Sequence, residues 1–261
     1  MQTDGPEFLA QPIAENPAAS ERKLLAPIWH TVVFIIILLG NSYFTASTLP
    51  KVTAGGATAK QRIFEYAFTI GFEFILLLIV WLGIRSRGVK MKELIGGRWK
   101  SVEAFLLDIA IAFGFWLVAI AVLGGLGYLL GLTKGSQAGE AKKLADMLAP
   151  ESPLALAMFI LLSSVAGFVE EIIFRGYLQK QFAALTGNIY LGLIIQAIIF
   201  GAGHGYEGAR RMLLIAVYGT MFGLLALWRK SLRPGMMAHA FHDSLAGVGL
   251  YLVKRGIIPM G

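Results

Sequence analysis

Long apolar stretches alternate with short polar connections along most of this chain. About seven windows approach the roughly 20 apolar residues that a helix needs to cross the hydrocarbon core of a membrane. They lie near residues 27–50, 64–84, 103–132, 153–174, 189–205, 212–228 and 236–253. The third window is long enough for one tilted span or for two short ones broken around GGLGYLLG, from Gly124 to Gly131. The pattern therefore predicts an all-α, polytopic bundle of seven or eight transmembrane helices.

The composition favours the same class of protein. Hydrophobic residues make up 56% of the 261 residues and charged residues 15%, against about 45–50% and about 25% in soluble proteins. The formal charge of +7 comes from Lys and Arg in the short connections, which is typical of a protein facing anionic lipid headgroups and not of one that binds nucleic acid. We expect an integral protein of the bacterial cytoplasmic membrane, with the basic segment 85–100 and the N-terminus on the cytoplasmic side.

Polar residues divide the chain into three parts. Residues 1–23 are polar and rich in Pro, Ala and Glu, and we interpret them as a disordered cytoplasmic tail. Residues 24–150 hold apolar windows with only isolated polar residues, and residues 151–255 hold the apolar windows that also carry acids, an arginine and histidines. The connection 134–152 is predicted to be a surface loop, with a short amphipathic helix at 140–147.

Three segments after residue 150 carry polar groups at helical spacing, each in a different predicted span. They are VEEIIFR (169–175), FGAGH (200–204) and HAFHD (239–243). Burying acids, an arginine and histidines in apolar helices is costly unless they meet one another. The pattern therefore predicts a polar active-site cavity inside the C-terminal helices.

In the first segment the two glutamates should differ. Glu171 and Arg175 are four residues apart and share a helix face, whereas Glu170 is rotated by about 100 degrees. A carboxylate held by Arg stays ionised and fixed, and one with only polar partners suits acid-base work. We assign Glu170 as the base and Glu171 as the tethered partner. The alternative is a Glu–Arg pair that only joins two helices.

The other two segments supply imidazole rings. Phe200 and His204 share a helix face, so the aromatic ring can fix the imidazole. His239 and Asp243 are also four apart, so the carboxylate can reach the ring and select its tautomer, and His242 is a competing candidate. Each alone has a plainer interpretation, either an interfacial histidine or a polar helix start.

Two further expectations concern geometry. Glu170 and His204 would lie at opposite ends of their spans if both helices ended where hydropathy falls, so the Glu170 helix is predicted to continue to about Leu185. Glu73, near the middle of the second window, is either a functional group or a hydrogen-bonded packing residue. GTMFG, from Gly219 to Gly223, has the spacing of small residues that lets helices approach closely.

EExxxR, FxxxH and HxxxD, in this order and in separate apolar helices, resemble the CPBP family of intramembrane proteases. The family is also called the CAAX protease and bacteriocin-processing, or Abi, family, and it includes prenyl-protein endopeptidases. The resemblance covers roughly residues 150–253, with FRGYL and LRPGMMAH flanking the motifs. It implies a hydrolase acting on membrane-associated proteins or peptides.

Residue by residue, the resemblance implies that Glu170 activates the attacking water, supported by Glu171 and Arg175. His204 would orient the water or bind a metal, and His239 with Asp243 would stabilise the oxyanion or complete the site. Family members often have Asn where this chain has Asp243. The family is commonly labelled metalloprotease, so a divalent metal such as zinc on Glu170, His204 and His239 is one reading, and a metal-free glutamate mechanism is the other.

Other classes fit less well. There is no HExxH, GxGD or GxSG-like motif of the other intramembrane proteases, and no cysteine for a thiol nucleophile or thiolate ligand. The alternatives are a catalytically inactive scaffold or immunity protein of the same fold and, less in keeping with the absence of paired inverted repeats, a proton-coupled transporter.

Overall fold

The computed structural model describes residues 23–52, 57–132 and 146–258, and their regular structure is entirely helical. The N-terminal half contains α1 (Ile28–Val52), α2 (Ala59–Arg85), the short α3 (Met91–Ile95) and α4 (Val102–Leu129). The C-terminal half contains α5 (Pro153–Glu171), a π-helical segment (Ile172–Leu178), α6 (Gln179–Thr186), α7 (Ile189–Gly203), a 3-10 turn (Gly205–Glu207), α8 (Ala209–Arg229) and α9 (Arg233–Lys254). The all-α prediction is confirmed.

The described residues hold five helices long and apolar enough to cross a membrane, which supports an integral membrane protein. They are Ile28–Thr48, Ala59–Arg85, Val102–Leu129, Pro153–Thr186 and Ala209–Arg229. The predicted count of seven or eight spans is not confirmed. Helix α7 has 15 residues, about 22 Å at 1.5 Å per residue, which is shorter than the hydrocarbon core of about 30 Å. Helix α9 carries two histidines and an aspartate on its 22 residues and is not among the five.

Two boundary predictions can be compared with these helices. The third window forms the single helix α4, so the predicted alternative of two short spans is wrong. Residues 1–22 and 133–145 lie outside the described residues, and with them the predicted tail and most of the predicted helix at 140–147.

The helix that carries Glu170 is continuous from Pro153 to Thr186, as predicted. It begins at a strong N-terminal signal, with Pro153 in its first turn and the Ser152 hydroxyl accepting a hydrogen bond from the Ala155 N–H at 3.1 Å. It ends at Gly187, whose φ of +72° suits only glycine well. Glu170 therefore lies in the middle of a long helix and not at the end of a span.

This long helix is also the centre of the fold, because it packs against α2 on one side and α9 on the other. The contact with α9 depends on Gly167. A Cβ at that position would lie 2.6 Å from the backbone nitrogen of Ala240, so only glycine allows the two backbones this close. Gly167 thus sets the distance between the helices that carry Glu170 and His239.

Candidate active site

Helices α5 and α9 bring the first and third motif segments into contact through Glu171. Its Oε1 accepts a hydrogen bond from Arg175 Nη1 at 2.9 Å and lies 3.1 Å from His239 Nδ1. The side chains of Glu171 and Arg175 are 1% and 0% exposed. Glu171 is therefore held from two sides in a buried position, and the predicted pairing at four-residue spacing is present.

Arg175 is fixed by more than its carboxylate partner. Its Nη2 donates to the Gly219 carbonyl oxygen at 3.2 Å, and its guanidinium lies 4.4 Å and 4.9 Å from the ring centres of Phe200 and Phe222. Arg175 belongs to the π-helical segment, whose wider turn is often found at functional sites. The sequence pattern gave no sign of this wider turn.

Glycines in α8 allow this approach. A Cβ on Gly219 would lie 2.9 Å from the Phe200 ring, and one on Gly223 would lie 2.8 Å from Gln179 Oε1. The predicted packing role of GTMFG therefore agrees with the close contacts at both glycines. The Gly219 carbonyl oxygen also accepts from Gln196 Nε2 at 3.1 Å, so this backbone group has a polar role that the motif did not predict.

Glu170 is placed differently from its neighbour. Its Oε2 lies 3.9 Å from His239 Nε2 and, within the described part of the chain, is buried without a hydrogen-bond partner. The side chain is 16% exposed, against 1% for Glu171. Glu170 is thus the carboxylate with an oxygen available for a further partner.

His239, and not His242, contacts the glutamates. Its ring stacks on Phe222 with centroids 5.2 Å apart, and its Nε2 lies 3.5 Å from Asp243 Oδ2. Both nitrogens of His239 therefore face carboxylate oxygens, so each N–H position has an acceptor. His242 instead lies against Tyr218, at 5.2 Å between ring centres.

His204 follows the last residue of α7 and is oriented by that helix. Its Nδ1 lies 2.9 Å from the Phe200 carbonyl oxygen, and its ring meets the Phe200 ring edge-on at 5.0 Å. Since a carbonyl oxygen only accepts, Nδ1 is the donor, and in the neutral ring Nε2 is left as an acceptor. The predicted sharing of a helix face by Phe200 and His204 thus leads to a fixed tautomer.

A cavity of about 470 Å³ brings Glu170 and His204 together, because both side chains line it. Its remaining wall is largely apolar and comes mainly from α1, α2 and α5, with Met147 and Leu148 at one side. Glu170 and His204 thus line one space of the size usual for ligand sites, as their predicted convergence requires.

Two cavity residues were missed or undervalued from the sequence. Tyr206 follows His204 by two residues and lines the same space, and only that proximity in sequence could have indicated it. Burial raises the pKa of the Tyr206 hydroxyl well above its ordinary value, and it also raises the pKa of the adjacent Glu207 carboxyl. Tyr206 is therefore a hydrogen-bond donor at neutral pH. Glu73 of α2 also lines the cavity.

The predicted metal ligands do not form a three-ligand site in this arrangement. Among the described residues, no three side chains of the ligating types are grouped so that they could hold a metal ion. His239 Nδ1 is engaged by Glu171, and its Nε2 lies 3.5 Å from Asp243 Oδ2 and 3.9 Å from Glu170 Oε2. Glu170 and His204 alone supply fewer ligands than the three that catalytic zinc sites have.

Comparison with known proteins supports the interpretation of the motifs. Residues 152–245 match the family model described as type II CAAX prenyl endopeptidase Rce1-like. No curated protein and no solved structure shows significant similarity to the chain. The matched segment contains Glu170, Glu171, Arg175, His204, His239 and Asp243. Residues 152–245 are therefore similar to the Rce1-like type II CAAX prenyl endopeptidases, in agreement with the resemblance of the motifs to the CPBP group of membrane proteases.

Proposed function

We propose that this protein is an intramembrane endopeptidase in which Glu170 activates a water molecule for attack on a peptide bond. The observation that carries the proposal is the contrast between adjacent glutamates. Glu171 is tied to Arg175 and His239, whereas Glu170 faces a cavity shared with His204 and keeps a buried oxygen that has no hydrogen-bond partner among the described residues. The family match independently supports protease activity within a membrane.

In the proposed reaction, the water oxygen attacks the carbonyl carbon of the scissile bond while Glu170 takes one water proton. The Nε2 of His204 accepts a hydrogen bond from the other O–H of the water, and this bond orients the water molecule. The bond from carbon to nitrogen then breaks, and Glu170 returns its proton to the leaving nitrogen. The products are a carboxylic acid and an amine, which balances the hydrolysis of one peptide bond.

The remaining residues support this chemistry in our proposal. Arg175 fixes Glu171, and Glu171 in turn fixes the ring of His239 through Nδ1. His239 Nε2, between Glu170 and Asp243, is the donor best placed to stabilise the negative oxygen that develops on the substrate. No step needs a metal ion, because proton acceptor, orienting group and oxyanion donor are all side chains of this chain.

We infer that the substrates are membrane-associated proteins or peptides. The cavity is lined mostly by apolar side chains of membrane-spanning helices, which suits an extended peptide entering from the lipid phase. Cleavage next to a prenylated cysteine, as the description of the matched family would suggest, is one specificity to test within this class.

Comparative membrane proteomics tests the proposal in cells. Membranes from cells with wild-type protein are compared with membranes from cells with Glu170→Ala, and Glu103→Gln, at an exposed site on α4, is the matched control. We expect at least one uncut membrane protein or peptide to accumulate in the Glu170→Ala membranes alone. Identical membrane proteomes, with Glu170→Ala present at normal level, would instead favour an inactive scaffold or immunity protein.

A further inference from the structure

Glu73 is a buried acid that the proposed mechanism does not use. It lies in the middle of α2 with 8% of its surface exposed, and its Oε2 has no hydrogen-bond partner among the residues that the structure describes. It lines the cavity that holds Glu170 and His204. Glu73 therefore belongs spatially to the candidate site, although it lies outside the family match.

Packing alone does not explain an acid at this position. An unpartnered carboxyl group in the middle of a membrane helix costs free energy, and Met or Leu would fill similar space without that cost. One turn away on α2, Ile70, Leu76 and Leu77 are apolar, and the hydroxyl of Thr69 donates its proton to the Glu65 carbonyl oxygen at 2.9 Å, so α2 supplies no donor to the Glu73 carboxyl. The side chain needs a partner inside the cavity.

Counting donors and acceptors indicates what that partner does. Glu170 and the Nε2 of His204 are both acceptors, and together they use both protons of the attacking water. A buried water makes about three hydrogen bonds, so one lone pair is left for a donor and the other for the carbonyl carbon. A second carboxylate would compete for the same protons, whereas a carboxylic acid would supply the donor.

We propose that Glu73 is a positioning residue that donates a hydrogen bond to the attacking water from the α2 wall of the cavity. This inference rests on the proposed function, because it concerns the same water. It adds a group from α2 to a site whose other members come from α5, the end of α7 and α9. In this arrangement Glu73 acts as a neutral donor, and Glu170 as the proton acceptor.

Gln substitutions separate these two roles. Gln keeps the size of Glu and has an N–H donor but cannot take a proton. We expect Glu73→Gln to retain kcat within about fivefold and Glu170→Gln to lose at least about 100-fold, the usual range for removing a general base. Glu73→Met, which has no donor, should lower kcat by about 10- to 100-fold with KM changed less than about threefold, since the water is misplaced while the substrate still binds.

The assay uses purified protein in proteoliposomes. The probe is an internally quenched peptide that spans the cleavage site of the protein accumulating in Glu170→Ala membranes. The matched control is Ile75→Met, on the same helix but facing lipid, which should keep wild-type kcat. Thermal unfolding of each variant in detergent is measured in parallel, and Glu73→Met should be at least as stable as wild type because it removes an unpaired buried polar group.

Several outcomes would overturn the inference. Wild-type kcat in Glu73→Met would remove any role of Glu73 in the reaction, and a Gln variant as inactive as the Met variant would exclude the donor role. If Glu73→Met fails to fold, Glu73→Gln decides alone: a loss above about tenfold with unchanged unfolding temperature contradicts the proposal. Full activity of Glu170→Gln would instead refute the proposed function, so the two failures are distinguishable.

Discussion

The ion pair between Glu171 and Arg175 offers a quantitative test of how this site is held together. Replacing Arg175 with Met keeps an apolar stem but removes the charge 2.9 Å from Glu171 Oε1 and the hydrogen bond to the Gly219 carbonyl oxygen. Two charge centres about 4 Å apart attract by about 4 kcal/mol at an effective dielectric constant of about 20. Both side chains are nearly inaccessible to solvent, so Arg175→Met leaves the buried Glu171 charge without its arginine. We expect this variant to have a free energy of unfolding about 3–5 kcal/mol below that of wild type.

Removing both partners should restore much of this loss. The double variant Glu171→Leu, Arg175→Met leaves no buried charge, and such replacements are often neutral or stabilising. We therefore expect the free energy of unfolding of the double variant to lie within about 2 kcal/mol of the wild-type value, because most of the destabilisation in Arg175→Met comes from the unpaired charge. Its peptidase activity should stay at least about 100-fold below wild type, since the ring of His239 loses the carboxylate that orients it.

The pair Arg229–Asp108 provides the matched control. Its distance is also 2.9 Å, but Arg229 is 29% exposed and Asp108 keeps a hydrogen bond from Trp99 Nε1 at 2.8 Å. Because Asp108 is only 3% exposed, Arg229→Met should lower the free energy of unfolding by more than the loss of an exposed pair would, about 1–2 kcal/mol, but by less than Arg175→Met. Reversible unfolding in mixed detergent measures all three variants. The reasoning is refuted if Arg175→Met costs as little as Arg229→Met, or if the double variant is no more stable than Arg175→Met alone.

Three further predictions concern packing, the third motif and metal ions. Gly167→Ala should reduce both the unfolding temperature and kcat, because the added Cβ pushes α9 away. Gly114→Ala, at a site with open space around it, should be neutral or slightly stabilising. Equal behaviour of the two variants would contradict the packing argument. Asp243→Asn should keep activity within about tenfold, because an amide oxygen can lie beside His239 Nε2 as the carboxylate oxygen does at 3.5 Å, and Asp243→Ala should lose more. A loss above about tenfold in the Asn variant would show that the charge is required. Incubation with a strong chelator, followed by metal analysis, should leave cleavage unchanged, and activity that is lost and then restored by zinc would contradict a metal-free reaction.

Contacts that lie four residues apart on one helix were accessible from the sequence. The pairs Glu171–Arg175 and His239–Asp243 follow from helix periodicity alone, as does the separation of Glu170 from its neighbour. The continuation of the Glu170 helix could also be predicted, because only a longer helix lets Glu170 meet His204.

Contacts between helices were less accessible. The approach of His239 to Glu171 depends on Gly167 lying against α9, and a lone glycine does not reveal its partner. Glu73 gave a sign of function, since it is an acid within an apolar helix, but the cavity that it lines forms only when α1, α2 and α5 pack together.

The difference between the seven or eight predicted spans and the five candidate spans among the described residues has a physical reason. Hydropathy treats every apolar window alike. Helix α7, however, ends after only 15 residues, just before His204, and several positions of α9 are occupied by polar site residues. These two helices therefore have a shorter apolar stretch than a membrane span needs, whereas the Glu170 helix, Pro153–Thr186, carries site residues within a full candidate span.

The most direct test of the central claim is cleavage of the accumulated substrate by purified protein in proteoliposomes, comparing wild type with Glu170→Gln. The account predicts that wild-type protein cuts the peptide at the site used in cells, and that Glu170→Gln cuts it at least about 100-fold more slowly while unfolding at the same temperature. Cleavage by Glu170→Gln at the wild-type rate would show that Glu170 does not activate the water.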